Sequence, residues 1–84
     1  MKNKKYHMEL IIWEDAFSET TWGNIENIKE WAQCGYAICE VGWVIFEDND
    51  NIVLCSQLAD DGDIGNRTRI HKKWVKSRKK INLK

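Results

Sequence analysis

The C-terminal third of the chain places one aromatic side chain among many cations. Trp74 lies within residues 67 to 84, a segment that carries nine bases and no acid. The segment before it supplies the other candidate ligand-binding residues, Arg67, Arg69, His71, Lys72 and Lys73. An indole plane can stack on a nucleobase while Arg and Lys side chains bind phosphate. These six residues are therefore predicted to bind an anionic aromatic ligand, and core packing of Trp74 is the alternative.

The charge of the chain is segregated along its length. The net charge is zero, with 13 acids and 13 bases, but residues 14 to 63 carry twelve acids against the single base Lys29. Such segregation is typical of chains whose basic segment contacts an anion or a nucleic acid. The alternative is that the basic segment folds back and pairs with the acidic middle.

Five tryptophans are more than the core of an 84-residue domain can bury completely. Trp31 and Trp43 have the most apolar surroundings and are predicted to pack in the core. Partly exposed tryptophans often anchor interfaces, although core packing is the alternative for each of them. An interface is predicted from two further tryptophans and three acids of a turn-like segment: Trp13, Trp22, Asp60, Asp61 and Asp63.

The residue types that perform catalysis or bind metals do not occur at the spacings which that chemistry needs. A nucleophile requires a base and an orienting acid, and no motif brings such a set together. The acids at 60–63 lack the spacing of a calcium loop and are predicted to form a turn. Three cysteines without a CxxC pair favour a reducing compartment, and Cys39 and Cys55 are predicted to be buried. We expect a cytoplasmic, non-enzymatic protein without metal or cofactor.

Apolar patterning predicts five strands and one helix. The strands are expected at 6–13, 36–47, 52–58, 67–71 and 75–83, the helix at 24–34, and a helical turn at 72–74. Asn24 is the expected N-cap of the helix, and Gly35 is its expected stop. Gly42 predicts a bend or bulge in the long second strand. Polar segments at 48–51 and 59–66 predict two hairpin connections.

The predicted elements indicate a single domain, residues 1–84, that is mainly β (α+β). The expected architecture is a small SH3-like or Sm-like five-stranded barrel with one short helix between strands 1 and 2. An open sheet with the helix packed across it is the alternative. No apolar run reaches the roughly 18 residues that a membrane-spanning helix requires.

Short motifs between residues 10 and 75 carry a family resemblance. They are Ile12-Trp13-Glu14-Asp15, Val41-Gly42-Trp43, Glu47-Asp48, Ile52-Val53-Leu54, Asp61-Gly62-Asp63 with Gly65-Asn66, and Ile70-His71-Lys72-Lys73. Together they resemble a group of small, mostly uncharacterised phage and prophage proteins. His71 stands where that group commonly has proline. The group has no assigned active site, so the resemblance implies a viral accessory protein without defining its chemistry.

The expected function is that of a phage-type accessory protein that inhibits or sequesters a host component, as in counter-defence. Its partner is expected to be a nucleotide immune signal bound around Trp74, or a host protein bound by the acidic middle. A homo-oligomer is expected, since phage proteins that sequester nucleotides are commonly oligomeric, and no membrane partner is expected. The alternative is a nucleic-acid-binding barrel of the Sm or OB type that uses the basic C-terminal third.

Overall fold

A computed structural model describes residues 5–15, 20–33 and 35–82. Its elements are β1 (Met8–Glu14), α1 (Ile25–Ala32), β2 (Ala37–Glu47), β3 (Asn51–Leu58), β4 (Ile64–His71), a 3₁₀ turn (Lys72–Trp74) and β5 (Val75–Ile81). Five strands with one short helix after the first confirm the prediction of a mainly β domain. The main difference is that β4 begins at Ile64, three residues before the predicted start, so Gly65 and Asn66 belong to the strand and not to the hairpin loop.

The five strands form one antiparallel sheet in the order β4-β3-β2-β1-β5. The strands are consecutive neighbours except for β5, which crosses over to pair with β1. Within the described ranges no ladder joins β4 to β5, so barrel closure stays a prediction. In the same part of the chain, no helix is long and apolar enough to cross a membrane.

One face of the sheet, which we call the inner face, carries the core. Its buried side chains are Ile11, Trp13, Val44, Ile52, Leu54 and Ile70, with Ile38 and Val75 packed against them. Because side chains alternate between the two faces of a strand, Glu9, Ile11 and Trp13 of β1 share the inner face. Trp13 is only 6% exposed, so its prediction as an exposed interface anchor is wrong.

The second strand passes very close to its neighbour at Gly42. A Cβ atom at this position would lie 2.7 Å from the Cys55 carbonyl oxygen. The predicted bulge is not at this glycine, since the β1–β2 register runs through Gly42 without a shift. The register shift lies between Val44 and Phe46, where β2 pairs with β3. Gly42 thus allows a close backbone approach, and the bulge follows it.

Aspartates close both hairpins of the β2–β3–β4 meander. Asp48 Oδ1 accepts hydrogen bonds from the backbone N–H groups of Asp50 (2.9 Å) and Asn51 (2.7 Å), which hold the pKa of Asp48 below its ordinary value. Asp61 Oδ1 accepts one from the N–H of Asp63 at 3.0 Å, beside Gly62 with its positive φ of 97°. Side chains that bond their own backbone are typical of such turns, so the turn predictions are confirmed.

The helix contributes no buried residue to the core. Asn24 is its N-cap, as predicted, since its Oδ1 accepts a hydrogen bond from the Asn27 N–H at 2.9 Å. The helix ends at Ala32 with Gln33 as its C-cap, before the predicted stop at Gly35, which does not adopt a positive φ. None of its residues is buried, so the prediction that Trp31 packs in the core is wrong.

Candidate functional site

The 3₁₀ turn places Trp74 beside an imidazole and two lysines. The Lys73 backbone N–H donates to His71 Nδ1 at 3.2 Å, which caps the turn. The rings of His71 and Trp74 lie 6.1 Å apart, centroid to centroid, at an interplanar angle of 38°. Trp74 remains 46% exposed. Its ring is therefore held against one neighbour while leaving surface for a ligand.

A cavity of about 250 Å³ opens next to this tryptophan, between the end of β1 and the start of β5. Its lining residues are Glu14, Asp15, Lys73, Trp74 and Lys76. We call these five residues and His71 the Trp74 site. Lys76 Nζ lies 3.4 Å from Glu14 Oε1, so one lysine is paired within the site. The site thus combines an aromatic plane, two cations and two carboxylates.

The other predicted ligand-binding residues are arranged around the Trp74 site in two ways. Arg67, Arg69 and His71 alternate along β4, so they share one face of the strand and form a row that ends at the Trp74 site. Neither arginine forms an ion pair with a described residue. Lys72 forms an ion pair outside the Trp74 site, since its Nζ lies 2.7 Å from Glu47 Oε2. Five of the six predicted residues therefore remain at or beside the site.

The predicted interface residues do not form one surface. Trp13 is buried in the core, whereas Trp22 precedes the helix and is fully exposed. Asp60, Asp61 and Asp63 are exposed in the β3–β4 turn, where Asp61 has a structural role. Trp43, predicted in the core, is half-buried on the opposite face of the sheet. Among the cysteines, Cys55 is buried as predicted but Cys39 is exposed.

The structure also contains an ionic network around the buried Glu9 that the sequence pattern does not reveal. Glu9 on the inner face of β1 is 8% exposed at its side chain and accepts two hydrogen bonds from Arg78 of β5, both 2.8 Å long. Arg78 reaches Glu47 as well, through Nη1 at 3.0 Å and Nη2 at 2.9 Å. His7 Nε2 lies 2.6 Å from Glu9 Oε2, and Lys72 completes the network at Glu47.

Arg78 lowers the pKa of both carboxylates that it contacts, Glu9 and Glu47. Its hydrogen bonds hold the pKa of Glu9 below the ordinary 4.5, against the opposing effect of burial. Together with Lys72, Arg78 lowers the pKa of Glu47 to about 2. The two glutamates in turn raise the pKa of the Arg78 guanidinium. Glu9, Glu47 and Arg78 are thus charged at neutral pH. Part of the basic end pairs with acids, as the second interpretation of the segregated charges predicts.

Acid is expected to destabilise the fold through this network. A carboxylate whose pKa is lowered on folding stabilises the folded state above its ordinary pKa, and that contribution is lost as the pH falls through the lowered value. For Glu47 this interval runs from 4.5 down to about 2. The midpoint of urea unfolding, followed by tryptophan fluorescence, should fall as the pH is lowered through it.

The matched variant for this prediction is Glu47→Gln, which keeps the shape of the side chain but not its charge. It should be less stable than the wild type at neutral pH and should lose less stability on acidification. A pH profile parallel to that of the wild type would show that Glu47 does not contribute.

Comparison with known proteins gives no relative. No family model matches the chain, and neither a curated protein nor a solved structure matches it. Within the described ranges, no three His, Cys, Asp or Glu side chains lie together as metal ligands do.

Proposed function

We propose that this chain is a non-enzymatic binding protein that sequesters a small nucleotide at the Trp74 site. The observation that carries the proposal is the exposed Trp74 ring, held beside His71 and above a cavity with two lysines. A nucleobase can stack on the ring, and such stacking contributes about 1–3 kcal/mol per base. The resemblance to phage accessory proteins supports a role in counter-defence, with a host nucleotide signal as the ligand.

The mixed charge of the Trp74 site suits a nucleotide better than a simple anion. Lys73 and Lys76 are cations that pair with phosphate, while Glu14 and Asp15 accept hydrogen bonds from the amino groups of a base. The cavity, at about 250 Å³, is smaller than the roughly 300–1,000 Å³ of complete small-molecule sites. The base is therefore expected to enter the cavity and the phosphates to lie outside it, toward Arg69 and Arg67.

Trp74→Ala is expected to weaken nucleotide binding about tenfold to a hundredfold, since it removes the stacking surface. The ligand is first sought by native mass spectrometry of the protein incubated with a panel of cyclic and linear nucleotides. Its affinity for the wild type and the variant is then measured by isothermal titration calorimetry.

Two further variants serve as controls for this measurement. Trp74→Phe keeps an aromatic plane and should retain most of the affinity. Trp22→Ala removes an exposed tryptophan outside the Trp74 site and should leave binding unchanged. Unchanged affinity in Trp74→Ala would refute the site. A protein that binds no nucleotide of the panel would redirect the search to a host protein that the acidic middle contacts.

A second candidate function is nucleic-acid binding along the Arg67, Arg69 and His71 row. The observation in its favour is that both arginines lack an ion pair with any described residue. Phosphate contacts of this kind make affinity fall steeply with salt. A short DNA included in the same panel separates the two functions, because only nucleic-acid binding predicts that the DNA itself is bound, with an affinity that falls steeply as salt is raised. Arg67→Ala should flatten that salt dependence.

A further inference from the structure

The Trp74 site contains an ion pair whose polar atoms form an ordered row. Lys76 Nζ lies 3.4 Å from Glu14 Oε1, and both residues line the cavity beside the Trp74 ring. The two oxygens of a carboxylate accept hydrogen bonds, whereas an ammonium group only donates them. The pair therefore offers a ligand two adjacent acceptors, Glu14 Oε2 and Oε1, followed by one donor, Lys76 Nζ.

Glu14 is held in place at the end of β1. Its backbone pairs with Ala37 of β2. A Cβ atom at Gly35 would lie 3.3 Å from Glu14 Oε1, so the chain passes close to one side of the carboxylate. This neighbour limits the directions in which the two oxygens can point. The Glu14 side chain is still 49% exposed, so a ligand can reach it.

Lys76 reaches this carboxylate from a bulge in β5. The β1–β5 register shifts here, so that Trp13 pairs with Val75 and not with Lys76. Bulges often redirect a side chain next to a functional site. In this sheet Val75 takes the position against the core, and the Lys76 side chain extends to Glu14 at the cavity.

Guanine is the nucleobase whose pairing edge complements the row of polar atoms. That edge carries two adjacent donors, the N2 amino group and N1–H, followed by the acceptor O6. The pairing edges of adenine, cytosine and uracil each place an acceptor opposite one of the Glu14 oxygens, so two lone pairs would face each other. Proteins that bind an unpaired base commonly bind this edge while an aromatic ring stacks on the base. Trp74 supplies such a ring beside the ion pair.

We propose that the Trp74 site is specific for guanine nucleotides, with Glu14 accepting from N1–H and the N2 amino group and Lys76 donating to O6. The inference rests on the proposed function, because it names the base of the nucleotide that stacks on Trp74. Lys76 then binds the base and not the phosphates. Lys73, which forms no ion pair with a described residue, remains for the phosphates together with Arg67 and Arg69.

Calorimetric titration with three nucleoside triphosphates tests the specificity. Guanosine, inosine and adenosine triphosphate carry the same phosphates, so differences in affinity arise from the base. Inosine lacks the N2 amino group, and adenosine has an acceptor in place of N1–H and an amino group in place of O6. Guanosine triphosphate should bind about tenfold to a hundredfold more tightly than adenosine triphosphate, with inosine triphosphate between them.

Glu14→Gln is expected to reverse this order. A glutamine side chain has one acceptor and one donor, a combination that matches adenine and not guanine. The variant should bind guanosine triphosphate about tenfold more weakly than the wild type does, and adenosine triphosphate more tightly. Damage to the structure would weaken both complexes, so opposite changes distinguish base recognition from a structural effect.

Lys76→Met determines whether this lysine binds the base or the phosphates. The variant should lose about tenfold in affinity for guanosine and inosine triphosphate, which both carry O6, and should keep its affinity for adenosine triphosphate. Equal losses for all three nucleotides would overturn the role of Lys76 at the base. The matched control is Glu26→Gln on α1, because Glu26 also pairs with a lysine, Lys29 at 3.9 Å, but lies outside the Trp74 site. It should keep the affinities of the wild type.

The results separate failure of this inference from failure of the proposed function. Equal affinities for the three triphosphates, or a preference for adenosine triphosphate, would overturn the guanine specificity. If Trp74→Ala still weakens binding in that case, the proposed function stands. Binding that Trp74→Ala does not weaken would refute the site and both proposals with it. Guanosine triphosphate that does not bind at all would also overturn the inference, and the wider nucleotide panel then decides the proposed function.

Discussion

Replacing Arg78 with methionine is expected to lower the free energy of unfolding by about 3 kcal/mol, a large share of the stability of so small a domain. Arg78 is the sole described side chain that joins Glu9 to Glu47, through four hydrogen bonds of 2.8 to 3.0 Å. Its removal leaves the carboxylate of Glu9 buried beside the core without its main partner. The value is at the lower end for a buried pair because the Arg78 side chain is 32% exposed.

Chemical denaturation of three variants separates the loss of the ion pair from the loss of packing. Arg78→Met should fall well below the wild type, whereas the double variant Glu9→Met with Arg78→Met should recover much of the stability, since no buried charge remains. Lys79→Met, on the same strand but opposite Leu10 on the other face of the sheet and without an ion pair to a described residue, should be unchanged. A double variant that is less stable than Arg78→Met would contradict this account.

The network explains why the charge pattern alone could not identify a binding surface. Arg78 and Glu9 are 69 residues apart, and Glu9 lies in the N-terminal segment, outside the acidic middle. Their contact depends on β5 pairing with β1, which is the one non-consecutive pairing of the sheet. The composition predicts that some basic residues pair with acids. Only the register between β1 and β5 determines which basic residues form those pairs and which stay unpaired and available to a ligand.

The fold was predictable where local signals are strong. Turn-forming aspartates, apolar strands and the Asn24 cap each act within a few residues of chain, so Asp48, Asp61 and Asn24 adopt the structures that their sequence predicts. The 3₁₀ turn before the last strand, at Lys72–Trp74, is also where the sequence places it. These elements bring His71, Lys73 and Trp74 together.

The assignment of the tryptophans failed for a different reason. Apolar neighbours along the chain predict Trp31 in the core, and Trp13 is predicted as an interface anchor. Burial, however, depends on which face of a strand or helix packs against the rest of the molecule. Trp13 shares the inner face of β1 with Ile11 and is buried. Trp31 belongs to a helix that has no buried residue.

Gly42→Ala is expected to destabilise the protein by about 1–3 kcal/mol, although alanine is otherwise favoured over glycine in a strand interior. The added Cβ would lie 2.7 Å from the Cys55 carbonyl oxygen and 3.3 Å from Leu54 Cβ, so β2 and β3 must separate beside the core residue Leu54. Gly65→Ala is the matched control, since its Cβ meets the exposed, flexible end of Gln57 and should cost nothing. Thermal unfolding of the two variants compares them directly. Equal stability of both would mean that the sheet does not need the close approach at Gly42.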